Sequence, residues 1–245
     1  MSTNDANTQM LTGRIVPQFV RFVLPSVLGL LSFSSASMID GIFIGNYVGA
    51  VALASVNLAM PLLAFVFGVL IMISLGGTVV AGEHLGRDEK NEASNVFSKT
   101  GIVLVVVMVL LSVIALLTPE GIARLVGARG NTLRLCAEYI WVVSWFFPAF
   151  GIALLFSQFA RVSGAPAMAF IGIVTTTVVN IMLDYWLIAV LGWGVTGAAL
   201  ATGTAFAAGG FVVLFYFLSP KATLQFIRPF GSWMIIFRTA FNGFS

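Results

Sequence analysis

The sequence predicts an all-α membrane protein: a lobe of six transmembrane helices followed by the start of a seventh. Three observations carry this. Of 245 residues, 59% are hydrophobic and only 9% are charged, where a soluble domain carries about 25% charged residues. Six apolar runs each reach the roughly 20 residues that cross a bilayer. The lysines and arginines gather on one side of those runs.

The runs lie at about 16–47, 51–82, 97–118, 136–160, 167–191 and 196–219. The links after the first and fifth are very short, so those neighbours form antiparallel hairpins. Ahead of them, residues 1–14 ("MSTNDANTQMLTGR") are polar and lack a basic leader. They read as a cytoplasmic tail, not a cleavable signal peptide. The lobe itself occupies 15–228, and 229–245 holds the start of a seventh helix, too short to span. That last segment echoes "QFVRFVLPSVLGLLS" near the N-terminus, with Gly243 and Pro25 as the two helix breakers, as expected of an internal duplication.

Eight basic residues (Arg14, Arg21, Arg87, Lys90, Lys99, Arg161, Lys221 and Arg228) fall on the N-terminal side. Three (Arg124, Arg129 and Arg134) fall on the other. The bias places the N-terminus in the cytoplasm and the protein in the cytoplasmic (inner) membrane. The net charge of +3 belongs to loops and forms no nucleic-acid patch. One cysteine, Cys136, excludes an intrachain disulfide. The stretch "GEHLGRDEKNEA", Gly82 to Ala93, is expected to be a solvated cytoplasmic turn rather than a metal site on Glu83 and His84.

On the sixth run, Gly197, Ala201, Ala205 and Gly209 recur at four-residue spacing, which lets helix backbones approach closely. Pro25, Pro61 and Pro148 lie inside apolar runs, where each removes a helical hydrogen bond and favours a kink.

Two acidic residues stand well inside the runs, Asp40 and Asp184. A central aspartate costs roughly 2.5–3.5 kcal/mol on insertion scales, so the pair needs a reason. At about 1.5 Å per residue, both lie some 10 Å from the outer ends of their helices. Thr202, on the returning sixth helix, reaches a similar level. Asn180 shares a face with Asp184, one turn deeper. Asn and Thr can hydrogen-bond a carboxylate, and the same oxygens suit a hard monovalent cation. Protonation would instead neutralise an aspartate. Either way the cluster has two charge states, which coupling to an ion gradient requires. Interhelical polar glue without turnover is the competing reading.

At these residues a resemblance appears. "FVLPSVLGLLSFSSASMIDGIFIGNYVGAVALASVNLAMPL" resembles the first two helices of the multidrug and toxic compound extrusion (MATE) transporters. "NIMLDYWLIAVLGWGVTGAALATG" resembles their fifth and sixth, and "GEHLGRDEKNEA" their second cytoplasmic loop. The similarity is nearest the branch of the DNA-damage-inducible F proteins. It implies half of a twelve-helix fold of two pseudo-symmetric lobes. It implies an antiporter that exports organic cations and amphipathic drugs for H+ or Na+, with no other cofactor. The coupling residues it implies are Asp40, Asn180, Asp184 and Thr202. It also implies a hinge at Pro25 and a network role for Tyr139, which reads equally well as an interfacial aromatic. The expected partners are the bilayer and a missing second lobe or a second copy; truncation is the favoured expectation. The alternatives are a lipid-linked precursor flippase, which would be expected to show more inward basic residues, and a non-transporting scaffold. A membrane enzyme would need an aspartate-rich motif or a catalytic histidine, and His84 stands alone.

Overall fold

The structure is a computed structural model that describes residues 27–28, 31, 34–35, 37–219 and 222–231. Pro25, the 1–14 tail and most of 229–245 lie outside the described residues. Regular structure among the described residues is helical throughout. Helix α1 is described over 37–43 and runs into a π turn, Ile44–Val48. Then come α2 (Ala50–Gly86), α3 (Lys90–Leu117), a short α4 (Pro119–Leu125), α5 (Asn131–Ser144) and α6 (Phe147–Val162). Helix α7 (Pro166–Asp184) continues as a second π turn, Tyr185–Val190, and α8 is Gly194–Leu218. Among the described residues four helices are long and apolar enough to span a bilayer: α2, α3, α7 with its π turn, and α8. Helices α5 and α6 together make a fifth span.

The hairpin links follow from glycine. Gly49, between α1 and α2, has φ 108°, and Gly192, between α7 and α8, has φ 67°. Side-chain-bearing residues rarely adopt such angles.

The fourth apolar run is two helices bent by 54° at Trp145–Phe146. Pro148 sits in the first turn of α6, where its missing N–H costs nothing within α6. The carbonyl it strands is that of Ser144, four residues earlier. Ser112 Oγ on α3 donates to that carbonyl at 2.7 Å, fully inside the lobe. The bend is therefore fixed by a hydroxyl from a neighbouring helix. Pro61, by contrast, lies inside an unbroken α2.

Two aromatic layers fill the core. Phe67, Phe150 and Phe206 meet with ring centroids 4.7–5.6 Å apart. Nearer the end of α6, Phe97 lies 4.9 Å from each of Phe159, Phe217 and Phe226. Phe226 belongs to an extended strap, residues 222–231, that follows α8 and crosses α3. Ser94 Oγ accepts from Gln225 N at 3.2 Å, and Ser98 Oγ accepts from Ile227 N at 3.0 Å. Asn95 bonds both backbone groups of Phe230, each at 3.0 Å.

This strap explains one departure from the sequence expectation. The third helix begins at Lys90, not near 97, and its first turns bury Ser94, Asn95 and Ser98. They are polar because they hold backbone, not because they face water. The charged stretch is likewise mostly helix, not a loop. Only Arg87–Glu89 stand outside α2 and α3, and His84 Nδ1 meets Glu89 Oε2 at 2.6 Å across the turn.

Candidate functional site

The four residues singled out by depth converge. Asp40 stands on α1, Asn180 and Asp184 on α7, and Thr202 on α8. Asn180 Nδ2 donates to Asp40 Oδ1 at 3.4 Å. The side chains of Asp184, Asn180 and Thr202 all turn toward the Asp40 carboxylate. Tyr139 on α5 joins them, with its hydroxyl toward Thr202. It is buried, 2% exposed, so it is no interfacial aromatic.

The approach stops short of saturation. Asp184 is 0% exposed, yet neither of its oxygens accepts a hydrogen bond from an N–H or O–H donor among the described residues, and what it faces is the Asp40 carboxylate. Thr202 Oγ1 is buried and faces the Asp40 carboxylate and the Tyr139 hydroxyl without a well-formed hydrogen bond to either. Buried polar atoms in folded proteins are nearly always satisfied, and each exception calls for a reason. Here three orphaned oxygens share one cluster with a second carboxylate. Such a set fits a proton or a hard monovalent cation, either of which would satisfy it.

Local structure sets this geometry. Both carboxylates precede a π turn: Asp184 caps Tyr185–Val190, and Asp40 comes four residues before Ile44–Val48. Such turns are rare and frequently mark functional positions. Helix α8 lies close because its glycines leave room. A Cβ on Gly209 would fall 2.7 Å from Gly172 O on α7, and one on Gly197 would fall 3.2 Å from Leu187 O. The expected packing stripe is thus the α7–α8 contact. Gly203, next to Thr202, accepts the ring of Phe146 from the bend in the fourth span. At the outer ends, Tyr47, Tyr185, Trp186 and Trp193 are exposed. Exposed aromatics of this kind are the usual signature of a membrane–water interface.

Two charged residues escaped the sequence reading. Glu138, at the start of the fourth run, is half-buried and accepts a short hydrogen bond from Thr196 Oγ1 on α8. Arg161, counted as a loop charge, lies in the last turn of α6 and lines a cavity of about 460 Å³. Helices α2, α6, α7 and α8 line that cavity, with Phe67, Ile71, Ser157, Gln158 and Phe206 among its walls.

A family model, MatE, matches residues 25–186, well over half of the chain. The chain belongs to the MatE family. The resemblance read from the motifs around Asp40 and Asp184 is therefore correct, as is the all-α membrane fold. Among curated relatives, the multidrug export protein MepA of Staphylococcus saprophyticus is 29% identical over 233 residues, covering 92% of this chain and 51% of that protein. MepA of Staphylococcus aureus is 29% identical over 202 residues, covering 81% and 44%. A crystal structure of a MATE protein in complex with MaL6 superposes with a TM-score of 0.87 at 23% identity, over 94% of this chain and 52% of that one. A MOP superfamily transporter from Pyrococcus furiosus gives 0.86 at 23% identity, over 95% and 53%. These structures share the fold. The chain spans about half the length of the MatE relatives it matches. It is a multi-pass membrane protein of this transporter family.

Proposed function

We propose that this chain is the cation-coupling lobe of an exporter of amphipathic, drug-sized compounds, exchanging them for protons or sodium at Asp40, Asn180, Asp184 and Thr202. The observation that supports it is Asp184: a fully buried carboxylate, both oxygens without an N–H or O–H donor among the described residues, facing a second carboxylate. A structural polar contact would satisfy its atoms. This one leaves acceptor sites for a cation that comes and goes. Exchange also needs a second body moving against the lobe. We assign that role to a second six-helix lobe, and the membrane to the cytoplasmic one, with the N-terminus inside.

Cation binding tests this directly. The purified chain in nanodiscs is titrated with ²²Na⁺, and proton uptake or release is followed in weak buffer. Asp184→Asn keeps the size and hydrogen-bonding capacity of the residue but removes its charge. It should abolish sodium binding if sodium couples, or the proton step if protons do. Asp40→Asn should do the same, and Glu92→Gln, in the first turn of α3, should change neither. Sodium and proton signals untouched by both aspartate substitutions would leave the cluster as polar glue and end the proposal.

A further inference from the structure

The resemblance implies organic cations as cargo, but a drug-sized cavity described in this lobe carries a positive charge. Among the described residues no acidic side chain lines it, and Arg161 does. Its volume, about 460 Å³, falls within the range of small-molecule sites, roughly 300–1,000 Å³. The walls are mostly apolar; Ser157, Gln158 and Arg161 share one end, the last turns of α6, while Thr176 on α7 donates its hydroxyl proton to Gly172 O.

Arg161 is half-buried and makes no ion pair among the described residues. Nη1 donates to Gln158 Oε1 at 2.6 Å, and Nη2 reaches Ser157 Oγ at 3.5 Å. A guanidinium has five N–H donors in a planar fork suited to a carboxylate, so most of its donors are left over. A basic residue at this end of a span also serves as a topological anchor. An anchor alone would reach outward to lipid headgroups. Arg161 instead turns along its own helix onto Gln158 and Ser157, in the wall of the cavity. At mid-cavity Phe67 and Phe206 lie 5.6 Å apart with rings tilted by 44°, a surface on which a flat ring stacks favourably.

We propose that this cavity binds an aromatic carboxylate of drug size, its ring against Phe67 and Phe206 and its carboxylate on the Arg161 guanidinium. The proposal rests on the reading of this lobe as belonging to an exporter and names the cargo class. The tilted rings of Phe67 and Phe206 suit a flat aromatic body better than flexible acyl chains, which is why the proposal commits to a soluble ligand.

The test is equilibrium dialysis of the purified chain in nanodiscs of zwitterionic lipid, with empty nanodiscs as blank. The probes are 9-anthracenecarboxylate and 9-anthracenylmethylammonium, alike except for the charge of the head. The carboxylate should bind about tenfold or more tightly, the scale of one hydrogen bond to a charged group. Arg161→Gln should erase that preference, and Arg161→Lys should keep some of it. Ile173→Trp, which fills the cavity from α7, should weaken both probes. Glu92→Gln, in the first turn of α3, should leave carboxylate binding intact, and because dialysis reads the carboxylate while ²²Na⁺ and proton signals read the cation, failure of the coupling reading and failure of this one register separately. Equal affinity for the ammonium probe overturns the proposal, as does unchanged carboxylate binding in an Arg161→Gln protein that melts like the parent. Displacement of the carboxylate by phosphatidylglycerol added to the nanodisc also overturns it, in favour of a lipid headgroup.

Discussion

The strap over α3 makes a quantitative claim. Asn95 is 4% exposed and carries two hydrogen bonds to Phe230, one as donor and one as acceptor, each 3.0 Å long. Asn95→Ala removes both. A neutral intramolecular hydrogen bond contributes about 1 kcal/mol net, so the loss is about 2 kcal/mol, or about 30-fold in the open population of the strap. Hydrogen exchange read by mass spectrometry on a peptide covering 222–231 measures that population. Exchange of the Phe230 amide should accelerate by about 30-fold. The Ile227 amide, held by Ser98 Oγ, should follow if the strap opens as a unit. Asn95→Asp retains the acceptor and should lie between the two. Acceleration of less than about threefold in Asn95→Ala, with the chain still folded, would show that Phe226 packing alone holds the strap and would refute the hydrogen-bond assignment.

Gly209→Val drives a branched side chain against Gly172 O and Thr176 on α7. Overpacking of this kind costs about 1–3 kcal/mol, and a lowered thermal midpoint in detergent would report it. Glu138→Ala leaves Thr196 without its acceptor and should cost about 1–2 kcal/mol, whereas Glu138→Gln keeps an acceptor and should melt near the parent. For topology, a cysteine at Glu92 should react only with a membrane-permeant maleimide in intact cells. Cys136 is fully buried and gives no background. Labelling by an impermeant reagent from outside would invert the orientation and the depth assignments that depend on it.

Much of the site was legible because helix rise is constant. Counting residues from the outer ends of the runs put Asp40, Asp184 and Thr202 at one level, and the short fifth link made α7 and α8 neighbours. That the faces converge needed coordinates, since rotation about each axis depends on packing. Tyr139 was ambiguous for that reason: its position in the fourth run fixes height but not direction. Glu138 and Arg161 were missed because a charge at the end of an apolar run looks solvated whether or not it turns inward. Pro148 announced a kink, but its resolution lies in Ser112, more than thirty residues away in the chain. The strap has no periodicity to read, and the polarity of the face that holds it made the third helix look shorter than it is.

The second π turn carries a consequence for rotational phase. A continuous α-helix fixes every residue's direction by about 100° per step. Helix α7 must meet α8 twice, through Gly172 against Gly209 and through Leu187 against Gly197. Widening the turn over Tyr185–Val190 lets the outer segment take its own bearing without disturbing the inner one. Asp184 is the last residue on the inner side of that change. Its carboxylate is thus aimed by a glycine contact three turns away. A methyl group added at Gly172 or Gly209 would do more than push α7 and α8 apart; it would turn the aspartate away from its partners.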